Sequence, residues 1–229
     1  MTEKALIIIN PNSSQTVTAG IDAAMQPLRK LGIPIRCETL AEGPPGIETQ
    51  RQADLTIAPM LALAERLEPD ALGFVIACFG DPGLHALRDQ TKLPVLGIQE
   101  AAIASALTLG QRFGVISILP ASIPRHMRSF GAMGVMDRLA GDRALGLGVA
   151  ELADANRTLD AMVATGCALR DQDGADVLIM GCAGMASYAD TLRAETGLPV
   201  VEPCQAAAAM AIGQIALGQS HSKGANHAG

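Results

Sequence analysis

The chain has 229 residues, of which 49% are apolar and 17% are charged, and its formal net charge is -6. This length is enough to bury a core in one large domain or in two small lobes, whereas the acidic balance and the lack of a basic run exclude nucleic acid as a partner. The five apolar residues before Asn10 are too few for a signal peptide or a membrane span, so we expect a cytoplasmic protein with no membrane partner.

Short apolar runs rich in Val and Ile alternate with amphipathic stretches, which is typical of βα units on a parallel sheet. The pattern predicts strands at 5–9, 33–37, 72–77, 95–98, 113–117, 143–149, 177–180 and 200–201. It predicts helices at 15–31, 50–67, 83–90, 122–133, 155–170, 188–195 and 206–215. The tail at 218–229 is polar and rich in Gly, and we expect it to be flexible.

Two stretches of the chain are similar to each other, and each carries a cysteine at the same place. Cys78 is followed by Leu-Pro-Val from Leu93 and Glu-Ala-Ala from Glu100, and Cys182 is followed by Leu-Pro-Val from Leu198 and Gln-Ala-Ala from Gln205, with one residue more between cysteine and proline. Further upstream, residues 9–13 match residues 118–122. We interpret this as a duplicated half-domain, with chance similarity in an Ala- and Gly-rich chain as the alternative. Related halves usually pack about a pseudo-twofold axis, which would make the two thiols face each other across one cleft.

The duplication predicts an α/β protein of two pseudo-symmetric lobes, each a roughly four-stranded parallel sheet flanked by helices. The first lobe would comprise residues 1–98 with 205–217, and the second 99–204, because the repeat implies a crossover near Gln99 and a return near Cys204. Both cysteines would then follow the third strand of their lobe. Ligands of open α/β sheets bind at this carboxyl end.

Two facing thiols can invert a stereocentre without a cofactor. A thiolate removes a proton from one face of a carbon while a thiol delivers one to the other, and backbone N–H groups stabilise the enolate oxygen that develops in between. Asp81 and Pro82 fit the first positions of a helix, which would place Cys78 at the positive end of that helix and lower its pKa. A second turn of small residues follows Cys182.

The other three cysteines are assigned to the protein interior. Cys37 lies on a predicted strand, Cys167 lies on a predicted helix, and Cys204 has no mirrored thiol. The chain has five cysteines in all, and their odd number, wide scatter and lack of C-x-x-C spacing fit neither a disulfide framework nor a zinc site. No glycine pattern matches a P-loop or a dinucleotide fingerprint, so we expect no metal and no cofactor.

Several polar residues have two interpretations. Asn10 and Ser13 follow the first predicted strand, where Asn10 could bind the ligand, but Ser13 or Ser14 could also simply cap the next helix. Asp81 either adjusts the proton balance of Cys78 or only caps a helix. Glu202 lies on the loop after the last predicted strand, and we expect it to hold residues of the site in place without contacting the ligand itself. His126 lies near a predicted pocket loop, but no histidine forms a credible triad with either cysteine, which disfavours nucleophilic hydrolysis.

At these residues the chain resembles the aspartate/glutamate/hydantoin racemase superfamily, and most closely its hydantoin and allantoin racemase branch. The similarity covers nearly the whole chain apart from the tail. The motifs that carry it are Asn-Pro-Asn-Ser-Ser from Asn10, Gly-Pro-Pro-Gly-Ile-Glu from Gly43, Ala-Cys-Phe-Gly-Asp-Pro-Gly-Leu from Ala77, Glu-Ala-Ala from Glu100 and Gly-Cys-Ala-Gly-Met from Gly181. The resemblance implies a cleft between two lobes, a homo-oligomer, and a cofactor-independent two-base mechanism with Cys78 and Cys182 on opposite faces of a small-molecule substrate.

The residues after each cysteine indicate the substrate class. Superfamily members that act on free glutamate or aspartate carry Asn-Thr after the first cysteine and commonly Thr-His or Thr-Glu after the second, whereas this chain has Phe-Gly and Ala-Gly. Backbone groups can hold a neutral ring with carbonyl and N–H groups, so the resemblance favours a 5-substituted hydantoin, including allantoin. The substrate-binding residues expected from the residue reading and the resemblance are Asn10, Ser13, Ile47, Phe79, Gly80, Ile118, Leu119, Ser122, Ala183 and Gly184. The stretch 200–205 departs from the Ile-Asp-Gly pattern of a typical hydantoin racemase.

Other functions remain open at this stage. The chain could be an aspartate or glutamate racemase, a decarboxylase of disubstituted malonates, a maleate isomerase or a non-catalytic two-lobed binding protein. Cys78 counts against the decarboxylase, since those enzymes keep only the second cysteine, and the missing carboxylate-binding side chains count against maleate isomerase. The sequence names neither the 5-substituent nor the cysteine that is ionised at rest.

Overall fold

The computed structural model describes residues 3–221, and these contain eight strands in two parallel sheets. The strands of the first sheet are β1 (Ala5–Asn10), β2 (Ile35–Thr39), β3 (Ala71–Ile76) and β4 (Val95–Gly97). The strands of the second sheet are β5 (Phe113–Ser117), β6 (Leu139–Ala144), β7 (Val177–Met180) and β8 (Val200–Val201).

Helices connect the strands and cover the sheets. In the first half they are α1 (Gln15–Ala24), α2 (Gln26–Arg29), α3 (Gln50–Leu55), α4 (Ile57–Leu67), α5 (Leu84–Gln90) and α6 (Ile98–Leu109). In the second half they are α7 (Ile123–Met133), α8 (Ala155–Asp171), α9 (Ala189–Thr196) and α10 (Pro203–Ala216). Within residues 3–221, no helix is both long and apolar enough to cross a membrane.

The two sheets have the same topology. Their spatial orders are β2-β1-β3-β4 and β6-β5-β7-β8, and all neighbouring strands are parallel. In each sheet the first strand in sequence lies between the second and the third, as the duplication predicts. Every residue of β1 and β5 is buried, as expected for central parallel strands with helices on both faces. The predicted fold class is confirmed.

An apolar core joins the two sheets. It contains Leu6 and Val75 from the first sheet and Val115 and Ile179 from the second. Between the sheets lie the Ala-rich helices α6 and α10, which pack against each other; α10 also packs on β3 and β4, and α6 also packs on β7. Small side chains let these helices approach closely. The lobe boundaries at residues 98 and 204 stay a prediction.

Helix α6 is not predicted from the sequence. Six of its residues are buried, on more than one side of the helix, so the chain shows no contrast between an apolar and a polar face there. The first and second predicted helices are each interrupted, which gives α1 with α2 and α3 with α4. At the second break, the Thr56 hydroxyl donates to the carbonyl of Ala53 at 2.7 Å, a local bond that competes with a continuous helix.

Strand β6 lies earlier in the chain than predicted. It ends at Ala144, and the apolar stretch after it forms a loop in which Leu145 donates to the carbonyl of Ser117 and Leu147 to that of Ile118. The strand instead begins at Leu139 and includes Asp142, which lies before the predicted start. Arg143 pairs with Asp173 at 2.6 Å, a long-range contact that the local pattern does not reveal.

The prediction that Asp81 caps the helix after Cys78 is wrong. Asp81 instead caps α6, since its carboxylate accepts from the backbone N–H groups of Gln99 at 2.8 Å and Glu100 at 2.9 Å. Burial raises the pKa of Asp81 to about 7. The short helix α5 begins later, after Gly83, whose φ of 73° is left-handed.

Helix α10 is capped by the residue directly before it and not by a residue from the loop after a cysteine. The buried carboxylate of Glu202 accepts from the backbone N–H groups of Cys204 at 3.0 Å and Gln205 at 2.6 Å, and burial raises its pKa to about 7. In the repeat Gly97 occupies the place of Glu202. A Cβ atom on Gly97 would lie 2.2 Å from Cγ of Asp81, so the Asp81 carboxyl fills the space that a side chain would need.

We expect Gly97→Ala to destabilise the protein by about 1–3 kcal/mol, because the new methyl overlaps the Asp81 carboxyl and disturbs the start of α6. Urea denaturation followed by circular dichroism measures the change. Gly213→Ala is the matched control: Gly213 lies within α10 with open space around it, and alanine there should stabilise the protein by about 0.5–1 kcal/mol. Equal stability of Gly97→Ala and the wild type would contradict the packing described.

Candidate active site

The two mirrored cysteines line one cavity between the sheets. Cys78 follows the end of β3 and Cys182 follows the end of β7, which are the third strands of their halves. The cavity is narrow and contains side chains from both halves of the chain. The fold thus brings the two thiols to the carboxyl ends of the strands, which is the usual ligand side of a parallel sheet.

Most of the expected substrate-binding residues border this cavity. They are Ile47, Phe79, Ile118, Ser122, Ala183 and Gly184. Gly80 lines a second cavity, on another side of Cys78, and Ser13 lines an adjoining groove. Leu119 packs against the core of the second half.

Asn10 lies outside the cavity. Its side chain is fully buried and its amide donates to Asn12 Oδ1 and Thr18 Oγ1, both at 3.0 Å. Asn12 does line the cavity. Asn10 therefore holds the loop that presents Asn12, which sequence reasoning passed over although it belongs to the same motif.

The cavity also includes residues that the sequence did not single out. Besides Asn12 they are Val17, Ala77, Val149, Gly181 and Arg125. Gly181 and Ala77 directly precede the cysteines, so the motifs could have identified them. Arg125 lies on α7, where the sequence pattern gives no signal for it, whereas its neighbour His126, which was placed near a pocket loop, also lines the cavity.

Cys182 has a backbone donor. It caps the 3-10 turn Ala183–Tyr188, and the N–H of Gly184 donates to Sγ of Cys182 at 3.4 Å. Burial raises the pKa of Cys182 to about 11; the Gly184 N–H acts in the opposite direction, and the charge of Glu48 adds to the rise. The donor therefore reduces part of the penalty that burial places on the thiolate.

Cys78 has a different environment. Its thiol donates to the carbonyl of Phe79 at 3.8 Å, and burial raises its pKa to about 12. The charge of Arg125 lowers this pKa, whereas Cys182 and Asp81 raise it. The expectation of a lowered pKa is wrong because α5 begins too far along the chain to act on the thiol, and the cavity removes water from it.

A buried polar cluster borders the cavity behind Phe79. Nδ1 of His126 lies 2.7 Å from Oδ2 of Asp142 and 3.2 Å from the hydroxyl of Ser117, which also donates to Asp142. The rings of Phe79 and His126 meet edge to face, with 5.0 Å between their centroids. Ser117 is fully buried and does not line the cavity, so this cluster holds the imidazole and α7 in place and supplies no nucleophile.

Loops from both halves meet at the cavity. Glu48 accepts from the backbone N–H of Val149 at 2.9 Å, and Ile47 and Val149 both line the cavity. A Cβ atom on Gly46 would lie 2.9 Å from Cβ of Val149, so the two loops touch. This contact covers the thiols and favours their desolvation.

The remaining cysteines lie elsewhere. Cys37 and Cys167 are half-buried, Cys204 is buried, and none of the three lines the cavity. No cluster of His, Cys, Asp or Glu within residues 3–221 has the arrangement of a metal site.

Comparison with known proteins agrees with this geometry. A family model described as Asp/Glu/Hydantoin racemase matches residues 6–211. The hydantoin racemase of Paenarthrobacter aurescens is 35% identical over 224 residues, which cover 95% of this chain and 94% of that protein. The structure of the allantoin racemase from Klebsiella pneumoniae is similar with a TM-score of 0.87 at 30% identity, covering 97% of this chain and 92% of that one. The structure of the allantoin racemase from Pseudomonas fluorescens is similar with a TM-score of 0.92 at 27% identity, covering 96% of this chain and 94% of that one.

Fold, site and relatives together define an isomerase of the racemase class. The chain belongs to the Asp/Glu/hydantoin racemase family, because the family model spans most of its length. The resemblance seen in its motifs is confirmed.

The raised thiol pKa values predict the alkylation behaviour of the free protein. The thiolate is the reactive form, so labelling of Cys78 and Cys182 by iodoacetamide should be slow at pH 7.5 and should still be rising at pH 10, where a free cysteine has levelled off. Peptide-resolved mass spectrometry measures both rates, with N-acetylcysteine as the reference thiol. A plateau below pH 8.5 at either site would show that the thiols are not desolvated as described.

Proposed function

We propose that this racemase inverts the C5 stereocentre of a 5-substituted hydantoin, allantoin included, with Cys78 and Cys182 as acid and base. The observation that supports it is that one thiol from each half lines the same narrow cavity. The neighbours that follow the two sulfur atoms are small or apolar, and their backbone groups are available to a ring with carbonyl and N–H groups.

The reaction needs two proton transfers and no redox change. One thiolate takes the C5 proton, and the electron pair of the C–H bond moves onto the adjacent carbonyl oxygen to form an enolate. The other thiol then gives its proton to the opposite face of C5, and the carbonyl is restored. The product leaves with the two protonation states exchanged, so the sulfur atoms must exchange protons with solvent or with each other before the next turnover in the same direction.

The cysteine that ionises first is Cys182. Burial opposes both thiolates, but the Gly184 N–H lowers the pKa of Cys182, whereas within residues 3–221 no backbone N–H donates to Sγ of Cys78. A thiolate with a raised pKa is scarce, yet it is a strong base once formed, which suits the removal of a proton from carbon.

Within the described chain, the cavity lacks a carboxylate partner for the ammonium group of a free amino acid. Among the described residues, no aspartate or glutamate lines the cavity, so an α-ammonium group would enter without a carboxylate partner. The relatives named above are a hydantoin racemase and two allantoin racemases.

The substituent on C5 would extend into the adjoining groove. This groove has a volume of about 450 Å³ and shares Val17, Val149, Ala183 and Gly184 with the cysteine cavity. Its other lining residues are serines, alanines, Thr16, Gly20, Pro45 and Leu152. No charged side chain among the described residues lines it, so an uncharged substituent fits best.

The test is to incubate the protein with enantiopure 5-substituted hydantoins and with enantiopure allantoin in deuterated water. We expect optical rotation to be lost while NMR shows deuterium at C5, at a rate well above that of a protein-free blank. Cys78→Ser and Cys182→Ser should each slow interconversion at least about a hundredfold, because each removes one of the two proton carriers.

Cys167→Ser is the control, since Cys167 lies on α8 outside the cavity, and its activity should equal that of the wild type. Full interconversion by Cys78→Ser would rule out the two-base scheme. If the wild-type protein racemises neither the 5-substituted hydantoins nor allantoin, the proposed substrate class is ruled out.

A further inference from the structure

The two thiols are stabilised unequally. Sγ of Cys182 accepts the backbone N–H of Gly184, but within residues 3–221 no N–H donates to Sγ of Cys78, which instead donates its own proton to Phe79. A two-base racemase places negative charge on each sulfur in turn. The Cys78 side therefore needs a stabilising group other than a backbone donor.

Arg125 lies where such a group is required. It borders the cysteine cavity and also the second cavity next to Cys78, and Cys78 and Phe79 border both as well. In the part of the chain that the structure describes, Arg125 is the only lysine or arginine that lines the cysteine cavity. Its charge opposes the effect of burial on the Cys78 thiol.

The guanidinium of Arg125 has unused donors. Its Nε is buried and has no hydrogen-bond partner, its one hydrogen bond is from a terminal nitrogen to Ser122 Oγ at 3.3 Å, and no carboxylate of the described chain pairs with it. Arg128, one turn along the same helix, differs because it donates to Gln50 Oε1 at 2.7 Å and to the carbonyl of Pro124 at 3.3 Å. A buried donor without a partner indicates that its partner arrives with the ligand.

We propose that Arg125 stabilises the negative charge on the Cys78 side of the site, both on the enolate oxygen of the substrate and on the thiolate that forms when Cys78 gives its proton to C5. This role rests on the proposed function. During one turnover the negative charge moves from one sulfur to the enolate oxygen and then to the other sulfur. A planar guanidinium with several N–H donors can interact with the enolate oxygen and with the Cys78 sulfur without rearranging.

The other ionisable groups around Cys78 do not supply this charge. Asp81 and Cys182 become negative on ionisation and oppose a Cys78 thiolate, and Glu48 acts on Cys182 in the same sense. His126 borders the cavity, but its Nδ1 is held by Asp142. Arg128 borders only the second cavity and donates to Gln50, so among the described residues Arg125 is the lysine or arginine of α7 that lines the cysteine cavity beside Cys78.

The first test needs no substrate. In Arg125→Gln, alkylation of Cys78 at pH 9 should fall about tenfold relative to Cys182 in the same molecule, because losing the cation raises the Cys78 pKa by about one unit. Arg125→Lys should keep the wild-type ratio within about threefold, since it retains the charge. Arg128→Gln, which removes a paired arginine from the same helix, should leave the ratio unchanged. An unchanged ratio in Arg125→Gln would overturn the role at Cys78.

The second test is steady-state racemisation of the hydantoin that the wild type turns over fastest. Arg125→Gln should lower kcat about 100- to 1,000-fold with a much smaller change in KM, as expected for a donor that acts on developing charge. A loss confined to KM would overturn the enolate role. If the wild type racemises no hydantoin while the labelling ratio still shifts, the proposed substrate fails and the role of Arg125 at Cys78 remains.

Discussion

Desolvation of the two thiols is the constraint on which the rest of the site depends. Burial is the main cause that raises the pKa of Cys182 to about 11 and that of Cys78 to about 12, because the cavity cannot replace the water that would solvate a thiolate. The same burial makes the thiolate a stronger base once it forms. The surrounding structure then has to supply charge stabilisation at a few points, and it does so with Gly184 for Cys182 and, as we propose, with Arg125 for Cys78.

The pseudo-symmetry of the chain is therefore one of topology and not of detailed chemistry. Both sheets have the same strand order, and both thiols follow the third strand of their half. The groups that cap the corresponding helices differ. Asp81, on the loop after Cys78, caps α6, whereas Glu202, the residue directly before α10, caps α10. The two halves thus cap the corresponding helices α6 and α10 with carboxylates that come from different places in the repeat.

The features that the sequence predicted are those encoded by local pattern or by the repeat. The buried strands β5 and β7 have the predicted bounds because continuous apolar runs mark them, and the repeat identified Cys78 and Cys182. Helix α6 was missed because burial on several sides removes the amphipathic pattern. The position of β6 was wrong because Asp142 lies in the strand before the predicted start, and its partner His126 is distant in the sequence.

The electrostatics of the site were the least predictable part. Helix-capping rules assigned Asp81 to the nearest helix, but its carboxylate bonds to a helix that starts many residues later. The pKa of Cys78 was expected to fall because of that assignment. His126 was placed near a pocket loop, but Arg125 gave no signal, since only the tertiary fold places α7 against the loop that carries Cys78.

A crystal structure with a 5-substituted hydantoin bound in the cleft tests the central claim most directly. The account predicts that C5 lies between the sulfur atoms of Cys78 and Cys182, one on each face of the ring and each within about 3.5 Å, with a ring carbonyl oxygen towards Arg125. A ring with both sulfur atoms on the same face, or bound away from either of them, would contradict it.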